Sequence, residues 1–265
     1  MDRKPYPSDL TDDEWALLER LIPPAKTGGR KRTANMRAVA NAIFYVLKSG
    51  CQWDMLPRDL PPKGTVFHYY NTWRKDGTWQ RMNQTLREDL RQELGCEATP
   101  SAAIIDSQSV KTTEKRGCRG YDAGKHVKGR KRHLMVDTEG LVLNAFVTEA
   151  SWQDGTVASW LVEGLQHAYP RLQKIWADAA YRGRFVDRAA QCGIDVEIVV
   201  RCDDQQGFAV QPRRWVVERT FGWLNHYRRL SKDYEYWLQT SDATIYAAMT
   251  HLMVRRLARL RAASP

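Results

Sequence analysis

The sequence predicts an α/β protein: a mixed sheet with flanking helices, preceded by an all-α amino-terminal domain. Two observations carry this. Apolar residues recur at helical intervals through positions 1–96, whereas over 97–265 short apolar runs bounded by turn residues take over. Those runs alternate with helical stretches in the order three strands, helix, strand, helix, strand, helix, which suits a sheet covered on its faces. A chain of 265 residues with 43% apolar content has room and core material for both parts.

In the first part, Thr11 and Glu14 of TDDEWALLERLI have capping-box spacing, and Trp15, Leu18, Leu21 and Ile22 follow at helical intervals. NMRAVANAIFYVLKSG puts Met36, Val39, Ala40, Ile43, Phe44 and Leu47 on one stripe and ends at Gly50. After two proline breaks, a helix beginning near Thr65 carries His68, Tyr69, Arg74 and Lys75. A short helix, a tight turn and a polar, basic helix is the build of a helix-turn-helix reader; a plain bundle with a solvated basic face explains the same residues.

In the second part, SAAIIDSQSV, RHLMVDTEG and LVLNAFVTEA read as strands, the last two joined through Thr138, Glu139 and Gly140. DGTVASWLVEGLQHAYP reads as one helix closed by Pro170, KIWADAAY as a fourth strand, RFVDRAAQCG as a short helix and DVEIVVR as a fifth strand. Two longer helices, PRRWVVERTFGWLNHYRRLSK and DATIYAAMTHLMVRRLARL, complete the order. In the last one Ile245, Met249, Leu252 and Met253 suit either core packing or contact with a second subunit.

The net charge of +10 makes a polyanion the partner to test first, and its distribution is uneven. Positions 101–132 hold 9 basic against 3 acidic residues, so six of the ten net charges sit there. KTTEKRGCRGYDAGKHVKGRKRH accordingly reads as a flexible cationic loop, with Lys111, Arg116, Arg119, Lys125, Lys128, Arg130, Lys131 and Arg132 available to phosphates. The five cysteines form no C-x-x-C pair, so neither a disulfide framework nor a zinc site is suggested. The amino terminus lacks a signal-peptide pattern and no apolar run is long enough to span a bilayer. A cytoplasmic protein is expected.

Three acids stand in unusual places. Asp106 follows Ala103, Ile104 and Ile105, and Asp178 ends KIWAD, so each must emerge at the rim of a sheet or find a special environment inside it. Glu218 lies four residues after Arg214, on one helical face with it. If the strands are neighbours and the helix packs across them, three carboxylates converge, and a divalent cation relieves their repulsion. That set suits two-metal phosphoryl transfer, with Mg²⁺ or Mn²⁺ as the ions. Each acid also has a bland reading: an Asx turn at Asp106, a cap at Asp178, a helix ion pair for Glu218. Arg182 either steadies a phosphate near the ions or forms a surface pair with Asp178, the latter worth at most about 1 kcal/mol.

IIDSQSV, WADAAYRG and RRWVVERTFGWLNHYRRLSKDYE resemble the three acidic motifs of Asp-Asp-Glu transposases from bacterial insertion sequences, in particular the insertion-sequence-five group. DDEWALLERLIPP and GCQWDMLP resemble that group's amino-terminal domain. The resemblance implies a ribonuclease-H-like catalytic fold, Asp106, Asp178 and Glu218 as the metal-binding catalytic trio, and DNA cutting followed by strand transfer. Some relatives carry a tyrosine, an arginine and a lysine around the glutamate. Arg214 matches the arginine, whereas Gln211 and Asn225 stand in place of the other two, leaving Tyr227, Arg228 and Arg229 as nearby substitutes. Only 40 positions separate Asp178 from Glu218, too few for the large insertion domain of some relatives.

The expectation is therefore a helical DNA-binding domain over 1–96 and a catalytic domain over 97–265. Double-stranded DNA is the partner, as element terminal inverted repeats and as target, with two metal ions bound and a dimer or larger assembly on the DNA. His68, Arg74 and Lys75 are candidates for reading the repeats. A nuclease or resolvase of the same fold and a non-catalytic DNA-binding repressor are the rival readings.

Overall fold

The computed structural model describes residues 3–25, 28, 31–113, 117–162, 164–199 and 213–263. Helix α1 (Asp12–Glu19) opens with the expected capping box: Glu14 N donates to Thr11 Oγ1 at 3.2 Å and Thr11 N donates to Glu14 Oε2 at 3.1 Å. Helix α2 (Met36–Ser49) is capped by Asn35 and buries the stripe read from the sequence. Helices α3 (Lys63–Lys75) and α4 (Thr78–Glu93) follow, joined through Asp76 and Gly77. The tight turn therefore comes after α3. Before it, residues 50–62 hold only a 3-10 turn at Trp53–Met55, because Pro57, Pro61 and Pro62 lack the N–H groups that a continuing helix needs.

Strands β1 (Ala102–Lys111), β2 (Gly120–Asp122), β3 (Val127–Asp137), β4 (Val142–Glu149), β5 (Lys174–Ala177) and β6 (Asp195–Ile198) form one mixed sheet. Its order is β2-β3-β1-β5-β6, with β4 also pairing β3. β3 runs antiparallel to β1 and β4, whereas β5 and β6 run parallel to β1. An antiparallel unit extended through its first strand by parallel ones is the ribonuclease-H-like arrangement that the resemblance implied.

The stretch after Asp106 departs from expectation, since much of it is strand. β1 pairs with β3 as far as Lys111 opposite Gly129, and β2 pairs with the start of β3. A Cβ on Gly129 would lie 1.9 Å from the Val110 carbonyl oxygen, so only glycine lets these backbones meet.

Helices α5 (Asp154–Val162), α6 (Leu165–Ala168) and α7 (Arg184–Gln191) cover one face, where Ala158, Leu161, Leu165 and Phe185 pack on Ala103, Ile105, Met135 and Ile175. The single helix expected over this first region is two, because Gly164 takes a left-handed φ of 80°. Helices α8 (Trp215–Asn225) and α9 (Leu238–Ala263) cover the other face.

α9 also meets the amino-terminal helices. Ile245, Met249, Met253 and Leu257 join Leu18, Leu47, Leu86, Leu90, Leu134 and Val142 in one buried cluster, so core packing accounts for the apolar residues of this helix. Its side chains also occupy donors on β4: Ala145 N donates to Tyr246 Oη at 3.0 Å and Val147 N to Asp242 Oδ1 at 2.8 Å. Among the described residues no helix is long and apolar enough to cross a membrane.

Two histidines lie inside this core. Burial pushes His133 down to about 4, against the opposing pull of Asp154 at 3.7 Å, and pushes His251, stacked on Phe44, down to about 3. A histidine whose folded pKa is depressed contributes stability that is present above its unfolded value near 6.5 and is lost as pH falls toward the folded value. Between pH 6.5 and 4 the His251→Gln variant should therefore lose less unfolding free energy than wild type, by on the order of 3 kcal/mol, measured by denaturant unfolding at each pH.

Candidate active site

The pairing of β1 with β5 sets each residue of β1 beside the one 72 positions later: Ala102 beside Lys174, Ala103 beside Ile175, Ile104 beside Trp176. Extended by one pleat, the same register brings Asp178 beside Asp106. Ile104 and Trp176 face the core beneath α8, so the next residues of that row emerge at the rim, where the sheet runs out of apolar cover. Asp178 also starts a 3-10 turn, its Oδ1 accepting from Ala180 N at 2.8 Å, and Asp106 Oδ1 accepts from Ser107 N at 2.7 Å.

α8 supplies the rest of the site. Val216, Val217 and Phe221 anchor it in the core, which leaves Glu218 at its first turn facing outward and Arg214 at its N-cap position. Arg214 Nη2 lies 3.3 Å from Asp106 Oδ2, 3.8 Å from Asp178 Oδ2 and 3.8 Å from Glu218 Oε1. Three acids from two strands and a helix thus surround one cationic nitrogen. Their side chains are 14%, 30% and 50% exposed, in the order Asp106, Asp178, Glu218. Burial raises Asp106 to about 6, the Ser107 N–H and Arg214 pull it back, and the charge of Asp178 adds to the rise.

The neighbouring Arg213 takes φ 72° and lays its guanidinium 4.4 Å from the centroid of the Trp176 ring. Left-handed backbone at a non-glycine residue costs about 1 kcal/mol, and the stacking on β5 offsets it while tying the start of α8 to that strand. The bland readings hold together with the sharp one: Asp106 and Asp178 do bond local backbone, and Glu218 does face Arg214. What those readings lack is convergence.

Residues 97–253 match the family model described as "Transposase DDE domain", and residues 10–83 match one described as "Putative transposase of IS4/5 family". This chain belongs to the DDE transposase family. It is 31% identical over 109 residues to "Insertion element IS402 uncharacterized 16.2 kDa protein" of Burkholderia cepacia, a match covering 38% of this chain and 73% of that one. It is 30% identical over 114 residues to "Putative transposase for insertion sequence element IS402" of the same organism, covering 40% of this chain and 54% of that one. A solved structure described as "Crystal structure of the Mos1 mariner paired end complex with Mn" aligns at 11% identity over 94% of this chain and 86% of that one, with a TM-score of 0.30.

Of the basic residues expected to meet phosphates, the transposase exposes Lys111, Arg119, Lys125, Lys128, Arg182 and Arg228, and Lys125 Nζ donates to the Ser107 carbonyl at 3.0 Å, next to Asp106. On α3, His68 and Lys75 are exposed, while Arg74 is half-buried and bonded to Asn71. Five other expected contacts, four basic residues and Tyr227, are buried and engaged by groups of the protein itself. Arg130 is held by Asp233, Ser241 and the carbonyls of Cys118, Glu235 and Tyr236. Lys131 pairs with Asp154 at 3.1 Å and Asp122 at 3.5 Å. Arg132 donates to the carbonyls of Leu230 and Lys232, and burial pushes it down to about 10. Arg229 pairs with Glu235 at 2.7 Å, and Tyr227 lies beside His251 with Lys48 over its ring. Arg116 and Gln211 fall outside the described residues; Asn225 is exposed at the end of α8.

Sequence reasoning missed one feature of the transposase. Arg182 does not join the acid trio; with Arg184, Lys131, Asp154 and Trp152 it lines a cavity of about 750 Å³ at the start of α5. Arg184, two residues after Arg182 at the first turn of α7, was the available signal.

Proposed function

We propose that this transposase binds the terminal inverted repeats of an insertion sequence, cuts DNA at the element ends and joins the freed 3′-hydroxyl to target DNA. Asp106, Asp178 and Glu218 are its metal-binding catalytic residues in this reading. The observation that supports it is the meeting of three carboxylates around one cationic position. The donor set fits Mg²⁺ or Mn²⁺: it is all oxygen, it carries excess negative charge, and it lies at a rim that DNA can reach. Bound there, two such ions supply activation of a water or hydroxyl nucleophile and stabilisation of the departing oxygen.

The chain's own residues set position and charge. Asp106 and Asp178 are fixed by strand register, and Glu218, the most exposed of the three, closes the set from α8. In the first step a water oxygen bonds to phosphorus as the P–O3′ bond breaks; in the second the resulting 3′-hydroxyl attacks a target phosphodiester and displaces its 3′ oxygen. Lys111, Arg119, Lys125, Lys128, Arg182 and Arg228 hold phosphates, and α3 presents His68 and Lys75 to the repeats. Residues 1–96 serve DNA binding and 97–265 serve catalysis, with two copies or more bringing the ends together.

The test is strand transfer with precut, labelled element ends and Mg²⁺. Joined products from the wild-type chain and none from Glu218→Gln are expected. Cleavage of uncut ends without any joining would move the assignment to a nuclease of the same fold.

A further inference from the structure

The position shared by the three carboxylates is filled by a side chain of the same protein. Arg214 Nη2 stands 3.3–3.8 Å from an oxygen of each acid, whereas Mg²⁺ takes oxygen ligands at about 2.0–2.1 Å. The acids are therefore spread around a group larger than an ion. Consistently, among the described residues no three acidic, histidine or cysteine side chains are close enough together to hold a metal.

The hold is uneven. One Nη2 has two N–H bonds and cannot donate to three acceptors. At 3.3 Å it hydrogen-bonds Asp106, while Asp178 and Glu218, both at 3.8 Å, feel mainly its charge. A divalent ion brings twice the charge to a shorter distance, so it can compete for all three oxygens. Arg214 sits at the N-cap position of α8, on a long side chain whose head can swing off the rim without moving the helix.

We propose that Arg214 is a built-in competitor of the metal. In the metal-free protein it bridges the trio and limits its repulsion; metal loading requires its departure, and the displaced guanidinium then turns to a DNA phosphate beside the site. Loading of ions and grip on the scissile region are thereby coupled through one side chain. This rests on the metal-trio reading, which the experiment keeps separate.

Mn²⁺ binding to the full chain without DNA is measured by the electron-spin resonance of free Mn²⁺, alongside melting temperature with and without saturating Mn²⁺. Arg214→Gln should bind Mn²⁺ about tenfold more tightly than wild type, melt lower without metal and gain more from its addition. Arg214→Lys, which keeps a charge on a side chain that cannot fork, should fall between them and carries the test if the Gln variant fails to fold. Equal or weaker Mn²⁺ affinity in the Arg214 variants overturns the inference. Asp106→Asn separates the two ideas. If it erases binding in both backgrounds while Arg214→Gln matches wild type, only the competitor role fails; if Mn²⁺ still binds with Asp106 replaced, the trio itself is not the metal site.

Discussion

Asp106→Asn should lower DNA cleavage by about 10³-fold or more while leaving DNA binding and folding intact. Asparagine keeps the shape, and its side-chain oxygen can still accept from Ser107 N, so β1 and its pairing with β5 need not change. What disappears is one negative charge from a set in which three acids share Arg214. That loss removes the most buried of the proposed ion ligands and, with it, repulsion toward Asp178. The variant should accordingly be at least as stable as wild type, with a gain of about 1 kcal/mol. A structural carboxylate predicts the reverse pattern: lower melting temperature and residual cleavage in proportion to the folded fraction. Gel-based cleavage of labelled element ends, a mobility shift and a thermal melt on the same preparation tell these apart. Undiminished cleavage would remove Asp106 from the catalytic residues.

The site was legible where local pattern carries the information. An acid that closes an apolar run needs the rim or a special environment, which marks Asp106 and Asp178, and the four-residue spacing puts Arg214 and Glu218 on one helical face. The register was not legible. The 72 positions between the two aspartates match the offset of the β1–β5 pairing, but that coincidence has meaning only once the strands are known to be parallel neighbours.

Charge density misled for a related reason. Lys and Arg clustered among glycines look solvated, because the groups that neutralise them lie elsewhere in the chain. Asp233 lies 103 positions from Arg130, and the carbonyl of Leu230 lies 98 from Arg132. Nothing in the run itself announces these partners. Tyr227 was misplaced in a related way, by the packing of α9 against α2, whereas Arg229 pairs with Glu235 only six positions on, a partner that the sequence did offer. The glycine at 164 was visible, but whether a glycine inside a helical pattern is tolerated or ends it depends on the backbone it must adopt.

Arg130→Ala should cost about 3–5 kcal/mol and act on folding rather than on DNA. The Arg130 side chain is almost wholly buried, and its guanidinium joins β3 to the segment leading into α9 through Asp233 Oδ1 at 3.0 Å, Ser241 Oγ at 3.1 Å, Glu235 O at 2.8 Å and Tyr236 O at 2.7 Å. Removing it strands the Asp233 carboxylate inside the protein without its counter-charge and leaves the carbonyls of Cys118, Glu235 and Tyr236 without their donor. Adding Asp233→Asn to that variant should recover part of the loss, since the uncompensated charge is the largest penalty. Lys128→Ala is the contrast, two residues away but exposed on the same strand. Its stability should stay within about 0.5 kcal/mol of wild type, while DNA affinity falls and the salt dependence of binding flattens by about one counterion. If instead Arg130→Ala folded normally and lost DNA affinity, the buried network would be dispensable and the cationic stretch would be the open phosphate-binding loop that its composition suggests.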